Sequence, residues 1–204
     1  MNQKKAIKQL KTLNKIVEKG PRLAAEGWEE NWQTLIAIML SAQTRDSKTI
    51  PICEGLFKRF DSVEKIAKAK ISSIEKEIKS INYYKTKAKH IKETAKIIFK
   101  KGLIEEFEEL IQLPGVGRKT ANVFLVAMGK GNHIGVDTHV FRISHKLGWS
   151  KGKTPEEVEK NLMKLFPKRY WNSINNILVS FGQTHGRSQS KENEILKEVR
   201  KLKA

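Results

Sequence analysis

Apolar residues recur along this chain at spacings of three and four, and no alternating strand pattern persists anywhere. Such spacing gathers them on one stripe of a helix, so the pattern predicts helices almost end to end. Residues 4–18 carry Ile7, Leu10, Leu13 and Val17 on one face. Residues 31–43, NWQTLIAIMLSAQ, are apolar nearly all round, which predicts a helix at the centre of a core. Asp46 or Ser47 is placed to cap the next helix, which runs to about Arg59. Ser62 stands before VEKIAKA, and Ser72 with Glu75 forms a capping-box pattern before SIEKEIK. Residues 85–101 align Ala88, Ile91, Ala95 and Ile98, while residues 104–111, IEEFEELI, read as a short acidic helix. Thr154, Pro155 and Glu157 supply an N-cap, a first-turn proline and a capping-box glutamate for a helix to about Phe166. Residues 171–182 and about 189–203 complete the series, the last with Ile195, Val199 and Leu202 as its docking stripe. The expected fold class is all-α.

One interruption of this pattern asks for a reason. LPGVGRKTANVFL, residues 113–125, sets a tight hairpin, Leu113 to Gly117, between a helical Glu105–Ile111 and a helical Arg118–Met128. Glycines reach backbone conformations that other residues avoid, and without side chains they let a partner approach the main chain. The second helix starts here with unpaired N–H groups and a positive dipole end, which is a ready site for a phosphate. A helix–hairpin–helix of this kind grips a DNA backbone without reading its sequence. A bare helical turn with glycines serving packing alone is the plainer alternative. The adjacent Arg118 and Lys119 and the order L-P-G-V-G weigh against it.

Charge points the same way. Forty Lys and Arg face 22 Asp and Glu, a formal +18, which suits a polyanionic partner such as nucleic acid. The longest apolar runs, Leu35–Leu40 and Val123–Met128, are too short to span a bilayer, and the amino-terminal stretch has no secretory pattern. With Cys53 the single cysteine, no disulfide forms within the chain and no site needing several thiolates can be built. The five histidines, at 90, 133, 139, 145 and 185, fall in no zinc-binding spacing.

Two residues carry candidate chemistry. Lys119 is at the least another phosphate contact. In the first turn of a helix, however, the dipole favours the neutral, nucleophilic amine, while bound phosphates act the other way. Such an amine can attack a sugar C1′ as the base leaves, giving a Schiff base. Asp137, in GVDTHVFR, precedes the periodic Val140, Ile143 and Leu147 and reads first as a helix N-cap. A carboxylate there can also stabilise oxocarbenium-like charge on a sugar and help move protons.

LPGVGRKTANVFL followed by GVDTHVFR closely resembles the endonuclease III family of the helix–hairpin–helix DNA glycosylase superfamily. TLIAIMLSAQTRD resembles that family's LLIAxxLSAQ, YKTKAKHI at 84–91 matches YxxKAxxI, and HGR recurs at 185–187. The likeness covers most of the chain. It implies two helical domains flanking a DNA-binding cleft. One spans residues 24–133; the other joins 1–23 to 134–204, with Lys119 facing Asp137 across the cleft. It implies a base-excision-repair glycosylase and AP lyase that flips an oxidised pyrimidine, such as thymine glycol, out of the duplex and nicks the strand by β-elimination. By motif, Lys119 is the Schiff-base nucleophile and Asp137 its acidic partner. Gln43 fills the hole left by the flipped base, where its plainer role is an amide bonded to backbone. Tyr83, Lys87, Gly115, Gly117, Arg118, Thr120 and His139 join it in touching DNA. Main-chain carbonyls of Ile111, Leu113 and Val116 correspond to a structural Na+ or K+ site. The implied partner is double-stranded DNA with a damaged pyrimidine or an abasic site, met inside the cell by a monomer with no membrane attachment.

Two departures qualify the resemblance. The family carries four cysteines after HGR, spaced C-x6-C-x2-C-x5-C, around an iron–sulfur cluster. Here Ser190, Lys197 and Arg200 occupy the first three positions, and the fourth falls beyond residue 204. No iron–sulfur cluster and no required cofactor are therefore expected, with helix packing in the cluster's place. Tyr83 stands where relatives have a leucine wedge, a change that bears on lesion and opposite-base preference. Two rival readings are a monofunctional or mismatch-directed glycosylase, against which Lys119 counts, and a non-catalytic DNA-binding module, against which Asp137 and Gln43 count.

Overall fold

The computed structural model describes residues 2–17, 22–130, 134–186 and 188–202. Among these, every regular element is a helix and no strand occurs. His133, and Arg187 of the HGR stretch, lie outside the described residues. The chain divides into two compact units. The first holds residues 22–130; the second combines the described residues before 22, helix α1 (Gln3–Val17), with those after 130.

In the first unit follow α2 (Asn31–Ser41), α3 (Asp46–Arg59), α4 (Val63–Lys68), α5 (Ile71–Ile78), α6 (Tyr84–Lys101), α7 (Phe107–Leu110) and α8 (Arg118–Ala127). α2 is the centre of its core. Trp32 and every residue from Thr34 to Leu40 are buried, as an all-round apolar helix requires. It packs against α3, α6 and α8, so the two longest apolar runs of the sequence meet each other. Trp28 and Trp32 both stand edge-on to Phe57 of α3, at 5.0 and 5.3 Å between ring centres. α6 buries Ala88, Ile91, Ala95 and Ile98 and receives α4 and α5.

Several helix ends differ from expectation. The acidic helix shrinks from 104–111 to Phe107–Leu110. Leu103 and Ile104 pack on the core from the non-helical segment that precedes it. α5 starts at Ile71 with Lys70 as its uncapped N-cap, so Ser72 lies inside the helix and the expected capping box is absent. The earlier start lines up Ile71 with the buried Ile74 and Ile78. α3 is preceded by Arg45, with Asp46 as its first residue rather than its cap. There the carboxylate meets the positive dipole end. Ser62 does cap α4, accepting from Lys65 N.

The second unit adds α9 (Thr138–Leu147), α10 (Pro155–Leu165), a 3-10 turn (Lys168–Tyr170), α11 (Trp171–His185) and α12 (Gln189–Lys201). α11 buries Ile174, Leu178 and Phe181 and packs on α1 and α9. Thr154 caps α10 as expected, though the Glu157 carboxylate reaches past it to accept from Lys153 N at 2.6 Å. In α1 the apolar stripe includes a polar pin. Gln9 is fully buried, its Oε1 accepting from Trp149 Nε1 at 2.7 Å and its Nε2 donating to Val199 O at 3.2 Å.

α12 docks by a different face from the one its apolar residues suggest. Glu192, Leu196 and Val199 are buried, whereas Ile195 and Leu202 are only partly covered. The Glu192 carboxylate is paired with Arg142 and with Lys146 at 2.7 Å, both from α9. Burial by itself raises the pKa of this group, but the two cations outweigh it and hold the carboxyl below its ordinary 4.5. A depressed carboxyl contributes stability above its ordinary value and loses it as pH falls through its folded value. Glu192→Gln should therefore cost about 2 kcal/mol, the scale of a charge-assisted bond to a buried group. Urea melts at neutral pH measure that loss. In the native protein, hydrogen exchange in α12 should rise on acidification below pH 4.5, and it should rise much less steeply in the variant.

Candidate nucleic-acid interface and reactive lysine

The hairpin between α7 and α8 is anchored from beneath. Leu110, Leu113 and Val116 are buried, and Val116 N donates to Leu113 O at 3.0 Å. Thr94 Oγ1 of α6 donates to Pro114 O at 3.1 Å. Gly115 has φ +79, and a Cβ there would lie 2.6 Å from His90 Nδ1, so both conformation and space demand glycine. Gly117 differs. It is the N-cap of α8 at φ −92, and a Cβ on it would meet nothing within 4 Å. Its bareness serves no internal packing; it leaves the α8 N-terminus open to approach from outside.

From that opening the first turn of α8 presents Arg118, Lys119 and Thr120. Arg118 and Lys119 are exposed and Thr120 is buried. The Arg118 guanidinium lies 5.0 Å from the centre of the Phe107 ring. The hairpin glycines, the helix end and the lysine amine thus come from one short stretch, as expected.

Gln43, Tyr83 and Lys87 are brought together by the ends of α2 and α6. α2 stops at Ser41, short of the expected 43, and Gln43 takes a left-handed φ of +56. Tyr83, the residue before α6, has φ +58 and is 68% exposed. They are the only non-glycine residues with positive φ among those described. Each such residue costs on the order of 1 kcal/mol and persists only where neighbours hold it. Asn82 Nδ2 donates to Gln43 O at 2.6 Å, and Lys87 Nζ donates to Leu40 O at 2.8 Å and Ala42 O at 2.5 Å. The Lys87 ammonium is thus bonded to main chain rather than projecting outward, and burial pushes its pKa down to about 8. Sequence reasoning missed Asn82; its one signal is a short amide beside an aromatic at a helix start.

The second unit contributes Asp137 and His139. Asp137 is the N-cap of α9, its Oδ1 accepting from Val140 N at 2.8 Å. The segment before it is held by Asn175 Nδ2, which donates to Gly135 O at 2.7 Å. His139 is half-buried, with Nδ1 3.2 Å from an Arg142 nitrogen. A Cβ on Gly182 would overlap that Nδ1, so the ring lies packed against α11.

Iron–sulfur ligation does not fit the residues present. Cys53 sits in the first unit, buried in α3, and burial pushes its thiol up to about 12, far from the thiolate a cluster needs. Among the described residues, no three His, Cys, Asp or Glu side chains converge as metal ligands. At the hairpin, Leu113 O already accepts one hydrogen bond, so at most one of its lone pairs is open to a monovalent cation.

The model of the HhH-GPD superfamily of base excision DNA repair proteins matches residues 36–168, a span from α2 to the 3-10 turn that takes in the hairpin, Lys119 and Asp137. The chain belongs to that superfamily. Endonuclease III of Thermotoga maritima is 42% identical over 171 residues, covering 82% of this chain and 79% of that protein. Two solved structures share the fold at a TM-score of 0.84 and 30% identity. One is a trapped endonuclease III–DNA covalent intermediate, an estranged-adenine complex, covering 93% of this chain and 90% of that one. The other is a non-covalent endonuclease III–DNA complex, covering 98% and 100%. Within the superfamily the chain is therefore of the endonuclease III type.

The two hairpin glycines should separate in a substitution test. Gly115→Ala should lower the melting temperature, through φ strain and the displaced His90. Gly117→Ala should stay within about 1 kcal/mol of native stability, the cost of a poorer N-cap. Weaker duplex binding in an anisotropy titration at fixed salt is the outcome expected if the open helix end meets a backbone phosphate; unchanged binding would count against that contact.

Proposed function

We propose that this DNA glycosylase and AP lyase removes oxidised pyrimidines of the thymine glycol type and nicks the strand through a Schiff base on Lys119. The observation that carries the reading is the α8 N-terminus. An exposed lysine stands two residues after a glycine whose missing side chain leaves the helix end open. A backbone phosphate held there and an amine in the same turn are delivered together, which lowers the entropic cost of attack.

In this reading the Lys119 amine attacks C1′ as the glycosidic bond breaks, and the base leaves with the bonding electron pair and takes up a proton. The amine loses its proton and the sugar ring opens to an iminium. Loss of a proton from C2′ then expels the 3′ phosphate, and water hydrolyses the iminium to regenerate the amine. Asp137 supplies a carboxylate that stabilises positive charge on the sugar and relays protons. Its capping bond to Val140 uses Oδ1, which fixes the carboxylate at the start of α9. Gln43 and Tyr83 act on the duplex, Gln43 filling the space of the extruded base and Tyr83 stacking on what remains. Arg118 and Thr120 support the phosphate grip. A Na+ or K+ on the carbonyls of Ile111, Leu113 and Val116 would help hold the hairpin. In this reading the helical domains are 24–133 and 1–23 with 134–204, and the protein acts as a monomer on DNA inside the cell. No step calls on an iron–sulfur cluster.

Borohydride reduction tests the covalent step. With duplex carrying one abasic site, or one thymine glycol, the native protein should give a protein–DNA band that Lys119→Ala abolishes while duplex binding persists. A band of undiminished intensity in the variant would sink the assignment. Asp137→Asn keeps a good N-cap, so its melting temperature should hardly move, while base release should fall about 100- to 1,000-fold.

A further inference from the structure

Along one face of α6, at positions i, i+3 and i+7, stand Lys87, His90 and Thr94. Each meets a different piece of main chain in the same unit. Lys87 Nζ bonds the carbonyls of Leu40 and Ala42, immediately before the left-handed Gln43. His90 lies against Gly115, where any Cβ would strike its ring. Thr94 Oγ1 bonds Pro114 O. At the head of the same helix, Asn82 ties Tyr83's loop to Gln43 O. A cavity of about 240 Å³ opens between the two sets of contacts, lined by Ala42, Tyr83 and Lys87 on one side and His90 and Gly115 on the other. The loops that bear Gln43 and Tyr83 and the hairpin that bears the glycines are therefore linked across this gap through the α6 face.

We propose that Lys87, His90 and Thr94 are positioning residues that hold the base-probing loops and the phosphate-gripping hairpin at one fixed spacing. Seven helical residues rise about 10 Å. That is roughly three nucleotide steps of a DNA strand at about 3.4 Å each. A helix is stiff at this length, so α6 acts as a ruler. Gln43 and Tyr83 enter the duplex at a set number of nucleotides from the gripped phosphate, and the extruded nucleotide arrives in register with Lys119. The inference rests on the glycosylase and lyase reading, and it adds residues that touch neither the lesion nor the reacting atoms. Misplacement of a reacting group by an ångström costs on the order of 100-fold in rate, so loosening the ruler should be read in turnover.

Thr94 gives the cleanest test, because it is fully buried and its two conservative variants part company. Thr94→Val keeps the shape and loses the hydroxyl; Thr94→Ser keeps the hydroxyl and loses a methyl group. On duplex with one thymine glycol, Thr94→Val should lower kcat about 10- to 100-fold with little change in KM, and Thr94→Ser should stay near native. Borohydride trapping on a single-stranded oligonucleotide with an abasic site requires no probing of a duplex, so it should stay within about twofold of native for both. Lys87→Met should show the same fall in kcat on the duplex. Equal kcat for native and Thr94→Val, or a greater loss for Thr94→Ser than for Thr94→Val, would overturn the ruler and leave Thr94 a packing residue. Absence of any trapped band with the native protein on either substrate is a separate result: it would remove the lyase reading, and the ruler with it.

Discussion

The last carbonyls of a helix have no partner within it and must find one elsewhere. α2 is buried from Thr34 to Leu40, and its last carbonyls emerge where the chain turns toward α3. Lys87 answers that demand from α6 with one ammonium on two carbonyls. The bond does more than satisfy acceptors. It holds the carbonyl immediately before Gln43, whose left-handed backbone leaves its side chain exposed. The burial of α2, the cation on its last carbonyls and the exposure of Gln43 thus meet at one turn of the chain.

The same logic of close approach runs through the rest of the molecule. At Gly115 and at Gly182 a histidine ring occupies the volume of a missing Cβ, so two pairs of elements are brought nearer than side chains ordinarily allow. In the second unit a buried carboxylate is held between two cations, and a glutamine is bonded at both ends of its amide. Polar groups buried this way are costly when alone and specific when paired, which suits the docking of a terminal helix as lysine-rich as α12.

Much of this was legible beforehand, and the misses share a cause. Helix positions followed from three-and-four spacing because burial of stripes dominates helical folds. The hairpin was legible because glycines at 115 and 117 have no rationale inside a helix. The helix-start positions of Lys119 and Asp137 were legible too, whereas the chemistry proposed for them rests on those positions and on resemblance, not on periodicity. What the sequence concealed is polar and long-range. Gln9 reaches Val199 and Trp149 across the unit, Glu192 defines the docking face of α12 in preference to Ile195, and Lys87 turns inward rather than toward a polyanion. Spacing sees one helix at a time, and each of these side chains is explained only by its partner. Ser72 misled for a related reason: a capping pattern yielded to a stripe that buries Ile74 and Ile78.

The two left-handed residues carry a consequence for anyone who would evolve or engineer this protein. Glycine at 43 or 83 relieves the backbone and, by that measure, improves the fold. Under the function proposed for Gln43 and Tyr83 it also deletes the group that enters the duplex. Selection for heat tolerance alone would thus drift toward robust, well-folded and idle repair proteins.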